Sequence, residues 1–75
     1  MNRAPTFNTR LRELRKERKL SQTELAERCR LHPQGVSMLE RGLRTPAYWS
    51  LLEFARFFGV SLDYIAGLTD KRETI

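Results

Sequence analysis

Three helix-start signals follow one another in this chain, each only a short helix beyond the last. Ser21-Gln22-Thr23-Glu24 has the spacing of a capping box, His32-Pro33-Gln34 puts a proline where its missing amide is harmless, and Thr45-Pro46 repeats that second signal. The middle segment, Pro33 to Arg41, is only about two turns long, and a helix that short is not stable alone in water. It must be braced by its neighbours. The chain is thereby restricted to a packing of short helices, with the middle one held across its predecessor by a turn of three to four residues.

A pass along the sequence fills in the rest. Residues 1–6 form a short arm carrying Arg3 and Pro5. From Phe7 to Arg18, Phe7, Leu11 and Leu14 fall at i, i+4 and i+7, the buried stripe of an amphipathic first helix. Its end collects Lys16, Arg18 and Lys19, which suits either the helix dipole or a phosphate contact. The second helix, Gln22 to about Cys29, buries Leu25, Ala26 and Cys29. Leu31 plugs the turn, and the third helix, His32 to Arg41, turns Val36 and Leu39 inward before Gly42 stops it. The fourth begins at Thr45-Pro46. Its Tyr48, Leu51, Leu52, Phe54, Ala55 and Phe58 exceed one narrow stripe, so it is expected at the centre of the core. Gly59 ends it, Ser61 caps a brief fifth helix with Leu62 and Ile65 inward, and Gly67 closes that one. Residues 68–75 read as a polar tail. No strand pattern, internal repeat or low-complexity segment is present.

Seventy-five residues make one domain, near the lower limit for a core without staples. The single Cys29 excludes an internal disulfide and reads as a core thiol; the absence of further Cys/His pairs at ligand spacing argues against zinc. No apolar run reaches the ~18 residues of a membrane span, and no signal peptide opens the chain, so a cytoplasmic location is expected. A net charge of +5, from 14 Lys and Arg against 9 Asp and Glu, favours a polyanionic partner. Charge alone does not select one, because the cations are interspersed with Glu13, Glu17, Glu24 and Glu27 as on any exposed helix face.

Position is more informative. Gln22-Thr23-Glu24-Leu25-Ala26, Leu31, Val36-Ser37-Met38-Leu39-Glu40-Arg41-Gly42, Pro46 and Gly59-Val60-Ser61-Leu62-Asp63 occur in one order. In this the chain closely resembles the Cro/cI repressor type of helix-turn-helix domain, over about Phe7 to Gly67. The resemblance implies an all-α, five-helix, lambda-repressor-like fold in residues 7–67. It also implies roles. Gln22 would hold a phosphate with the start of the second helix, consistent with free amides there. The first turn of the third helix would enter the major groove, making His32, Pro33, Gln34 and Ser37 the candidate base readers, flanked by Met38 and Arg41. Gln34 can pair bidentately with adenine N6 and N7, Ser37 can read a base edge or a phosphate, and Pro33 offers apolar surface to a thymine methyl. Arg44 and Thr45 would contact the phosphate backbone, with Arg10 and Arg41 as weaker candidates. Arg15 and Glu40 match a buried ion pair of some members, bracing the third helix against the first.

The chain also departs from the pattern. Arg30 stands in the turn where the family usually has Gly, so either the turn differs or Arg30 takes the left-handed conformation at a cost of about 1 kcal/mol. His32 replaces the usual Ser or Thr cap. Gly35 costs about 1 kcal/mol against Ala inside a helix, which fits either simple tolerance or close approach of backbone to DNA. Trp49 and Phe57 lie at i and i+8 on a face that relatives make polar; with Tyr64, Leu68 and Ile75 they suggest a homodimer interface, unless the tail folds back over them. The expectation is a dimeric, double-stranded-DNA-binding repressor on a pseudo-palindromic operator, without catalytic residues, metal or cofactor. A restriction-modification controller, an antitoxin or a protein-interaction module using the aromatic face are the alternatives.

Overall fold

The computed structural model describes residues 6–73 and contains five helices: α1 (Phe7–Glu17), α2 (Gln22–Arg28), α3 (Pro33–Glu40), α4 (Tyr48–Phe58) and α5 (Leu62–Ala66). The arm's Arg3 and Pro5, and Ile75, lie outside the described residues. The fully buried side chains Leu11, Leu25, Cys29, Val36, Phe54 and Ile65 come from all five helices and the α2 cap. The core is therefore shared. Only Phe54, Ala55 and Phe58 of α4 are buried, whereas Leu51 and Leu52 are half-buried and Tyr48 is exposed. This corrects the expectation that α4 forms the centre.

Local chemistry sets most boundaries. Ser21 Oγ accepts from the Glu24 amide at 3.0 Å while the Glu24 carboxylate takes the Ser21 amide at 2.8 Å, a complete capping box. Ser61 Oγ likewise accepts the Tyr64 amide at 3.0 Å and starts α5. The start of α4 lies beyond the proline: Ala47 is the cap, in an extended conformation (φ −72°, ψ 157°) without a side-chain bond. Pro46 fixes its own φ and keeps Thr45 extended, but it does not oblige the helix to begin there.

Two turns use side-chain-bearing residues where glycine is usual. Arg30 has φ +59° between α2 and α3, and Lys19 has φ +57° after α1. In each, the following amide reaches back to close the helix end, Leu31 to the Ala26 carbonyl at 2.8 Å and Leu20 to the Arg15 carbonyl at 3.1 Å. The left-handed conformation costs about 1–2 kcal/mol for an L-residue, partly offset in a glycine variant by the larger entropy of its unfolded chain. Arg30→Gly is therefore expected to raise stability by about 0.5–1 kcal/mol in urea denaturation.

Cys29 is buried beneath this turn, and desolvation, with Glu53 nearby, pushes its thiol up from 9.0 to about 11. A raised pKa favours the neutral thiol in the folded state, so this contribution is complete below pH 9 and is lost as pH rises to 11. Urea midpoints should fall across that range more steeply for the wild type than for Cys29→Ala.

The tail packs back onto the domain. The Arg10 guanidinium, buried on α1, donates to the carbonyls of Tyr64 (3.2 Å) and Thr69 (3.1 Å) and to Asp70 (2.8 Å), and lies 3.8 Å over the Tyr64 ring. The Arg72 carbonyl accepts the Ser61 amide at 2.6 Å, and its guanidinium binds the Tyr64 hydroxyl at 3.1 Å and both Glu17 oxygens at 2.6 and 2.9 Å. Packing thus continues past residue 68, at least to Arg72. The Arg72 hydrogen bonds hold the Glu17 carboxyl below its ordinary value of 4.5. A lowered carboxyl pKa stabilises the folded state fully above pH 4.5 and stops doing so as pH falls through the lower, folded value. Hydrogen-exchange protection of the Ser61 amide is expected to drop over that acid interval in the wild type, and to be low already at pH 7 in Arg72→Ala.

Candidate nucleic-acid interface

Eight residues from Pro33 to Glu40 give α3 two unlike faces. Val36, Leu39 and Glu40 are buried, whereas His32, Pro33 and Gln34 at its start and Arg41 beyond its end are exposed; Ser37 and Met38 lie half-buried between. The inward face is held by apolar packing and by one ionic cluster. Arg15 Nε meets Glu40 Oε2 at 2.6 Å and its Nη2 meets Oε1 at 3.0 Å, with the two side chains 12% and 3% exposed. Arg15 also donates to the Leu20 carbonyl at 2.9 Å, and the Glu40 carboxylate raises the guanidinium's pKa further. Gln22 Nε2 completes the cluster with a 3.0 Å bond to Glu40 Oε1. One carboxylate therefore ties α3 to both α1 and the start of α2. The Glu40 charge is neutralised inward, and the outer face keeps only cations and neutral groups.

That outer face is concave. His32, Gln34, Gly35 and Met38 line a hollow of about 310 Å³ whose far wall is Arg44, from the segment joining α3 to α4. Gly42, at φ +73°, makes the turn that brings this segment back, and the Leu43 amide closes it on the Met38 carbonyl at 2.9 Å. Thr45 is exposed on the same connection. His32 caps α3 without a side-chain hydrogen bond, which leaves its imidazole outside the helix's own bonding. Of the sequence-derived candidates, four thus share one hollow, Pro33, Ser37, Arg41 and Thr45 lie on or beside α3, and Gln22 faces the ionic cluster.

Other candidates are placed elsewhere. Arg10 is buried beneath the tail and cannot meet a phosphate, because its donors are used on Tyr64, Thr69 and Asp70. Tyr64 is only 6% exposed between the Arg10 and Arg72 guanidinium groups and is not a surface residue, so it is removed from the proposed dimer face. Phe57 is half-buried, edge-on to Phe58 at 5.0 Å and covered by Arg18, whose guanidinium donates to the Phe57 and Phe58 carbonyls at 3.2 and 3.1 Å. Arg18 thereby satisfies two end carbonyls of α4. Trp49 and Leu68 remain open, at 74% and 77%. Sequence reasoning missed the Arg10 clamp, yet the signal was present: Arg10 follows Phe7 by three and precedes Leu14 by four, on the stripe that packs inward. Among the described residues no group of His, Cys, Asp and Glu could hold a metal, and no helix is long and apolar enough to cross a membrane.

The helix-turn-helix family pattern matches residues 11–65. An uncharacterized HTH-type transcriptional regulator, YobD of Bacillus subtilis, is 41% identical over 61 residues, which is 81% of this chain and 54% of YobD. The chain spans about half the length of the curated relatives it matches. The structure superposes on the P22 c2 repressor in complex with synthetic operator 9T with a TM-score of 0.80 at 25% identity, over 87% of this chain and 98% of that one. It superposes on the restriction-modification controller C.AhdI of Aeromonas hydrophila with a TM-score of 0.73 at 34% identity, over 79% and 89%. Family pattern, sequence relatives and five-helix architecture agree: the chain belongs to the Cro/cI-type helix-turn-helix family.

Proposed function

We propose that this domain is a sequence-specific, double-stranded-DNA-binding transcriptional regulator that acts as a homodimeric repressor by occupying its operator. The observation that carries the reading is the two-faced α3: Val36, Leu39 and Glu40 fix it rigidly, while His32, Gln34, Met38 and Arg44 open onto one hollow. Gln34 pairs with adenine, Ser37 and His32 meet neighbouring base edges, and Met38 gives apolar contact. Arg41, Arg44 and Thr45 hold phosphates, and Gln22, whose side-chain amide is engaged by Glu40, offers a phosphate its free backbone amide at the start of α2. The similar P22 c2 repressor has been seen with a synthetic operator, which supports duplex DNA as the partner. The exposed Trp49 and Leu68 supply apolar surface for pairing two copies, so that two α3 helices reach half-sites near one helical turn apart. A controller of a restriction-modification system is the second reading, favoured by the likeness to C.AhdI.

Fluorescence anisotropy on labelled duplexes at increasing salt tests the interface. The logarithm of affinity should fall linearly with the logarithm of salt, by about 0.9 per phosphate neutralised, and Arg44→Ala, which removes one contact from each subunit of the dimer, should reduce that slope by about 2. Absence of duplex binding, or binding insensitive to salt, would contradict the proposal and favour a protein partner.

A further inference from the structure

Gly35 is the one glycine in the interior of a helix, and the fold gives no reason for it. Gly42, Gly59 and Gly67 take positive φ (73°, 67° and 86°) and end helices; Gly35 is not in that region. Nor does it make room for a neighbour, since a Cβ built on it would meet nothing within 4 Å. Alanine would strengthen so short a helix, because glycine is a poor helix former. What glycine provides here is space, and the space belongs to the hollow shared with His32, Gln34, Met38 and Arg44.

We propose that Gly35 is a specificity-determining residue whose missing side chain lets the C5-methyl edge of a thymine settle against the α3 backbone, beside Met38. The inference rests on the DNA-binding reading and names what its site selects. The lining matches that edge. Gly35 and Met38 are apolar, and the C5-methyl is the apolar group a base pair presents in the major groove. The Met38 thioether is flexible enough to close on it, whereas a residue with a Cβ at 35 would hold the base edge away. Gln34, at the rim, reads an adenine next to or paired with that thymine, and Arg44 closes the far wall with charge suited to the flanking phosphate. Pro33 does not line the hollow, so the thymine contact passes from Pro33 to Gly35 and Met38.

The test uses a duplex selected by the wild-type protein from a random pool, with each thymine replaced singly by uracil, which deletes only the methyl. Wild type should lose about four-fold in affinity at one thymine per half-site, the worth of burying one methyl group. Gly35→Ala should unfold at an equal or higher temperature, bind the thymine duplex about ten-fold more weakly, and no longer distinguish uracil at that position. Uracil without effect at every position, or a Gly35→Ala protein that keeps both the affinity and the uracil sensitivity, would overturn the inference while leaving DNA binding intact. Failure of the wild type to select any duplex would overturn the DNA-binding reading itself, and this inference with it.

Discussion

Arg15→Ala is expected to lower the unfolding free energy by about 3–5 kcal/mol, because it leaves the Glu40 carboxylate buried without its partner. A small domain has a total stability of about 5–15 kcal/mol, so this substitution should remove a large part of it or abolish folding at 37 °C. The geometry is what makes the effect large. Both oxygens of Glu40 are engaged at 2.6 and 3.0 Å, and the carboxylate is almost wholly removed from water. The guanidinium also serves the Leu20 carbonyl, which its loss would orphan in the same step. Replacing both partners together, Arg15→Met with Glu40→Leu, should recover much of the lost stability, since no unpaired charge then remains. The recovered protein would still lack the Gln22–Glu40 bond that ties α2 to α3, so it separates stability from the posture of α3. Urea denaturation of the three proteins measures both effects. A loss below about 1 kcal/mol for Arg15→Ala would mean that solvent screens the pair and that it does not brace α3.

Gln34→Ala should have the opposite profile, with stability unchanged within about 0.5 kcal/mol and DNA binding strongly impaired. Its side chain is exposed at the rim of the hollow, so the fold does not depend on it. A bidentate carboxamide–adenine pair is worth about 1–3 kcal/mol, and a dimer on two half-sites would lose it twice. Affinity for the cognate duplex should therefore drop by one to four orders of magnitude, while binding to unrelated DNA changes little. Equal losses on cognate and unrelated duplexes would mean that Gln34 acts on the backbone and that base reading lies elsewhere on α3.

How legible this was in the sequence depends on the kind of interaction. Helix order and most boundaries follow from short-range chemistry, so the Ser21 and Ser61 caps and the Gly59 and Gly67 stops could be read directly from neighbouring residues. Arg30 could be singled out because the family resemblance marks its turn as a glycine position, and of the two outcomes this left open, an altered turn or a left-handed residue, the structure shows the second at φ +59°. Lys19 makes the same kind of turn without having been singled out, since no family position marked it. The start of α4 was misplaced by two residues because proline constrains φ without choosing where hydrogen bonding begins.

Contacts distant in sequence were harder. The apolar excess on α4 did not show that Tyr48 faces solvent, whereas Trp49 stands exposed as its place on the polar face implies. The tail's return was invisible because Asp70 and Arg72 carry the composition of a solvated tail, and only the packed surface of α1 and α5 gives them Arg10, Tyr64 and Glu17 as partners. For the candidate interface, the residues of α3 are named by the family resemblance, and the structure leaves His32, Pro33 and Gln34 exposed at its start. The hollow that unites them with Arg44 depends on the turn at Gly42 and needed coordinates.

Whether the outer face of α3 reads base sequence is decided by selection from a random duplex pool at moderate salt. Base reading by α3 should enrich an inverted, paired motif with half-sites near one helical turn apart, and one position per half-site should relax when the selection is repeated with Gln34→Ala. Well-folded protein that enriches no motif would contradict it, and the exposed surface around Trp49 would then be the place where this domain meets its partner.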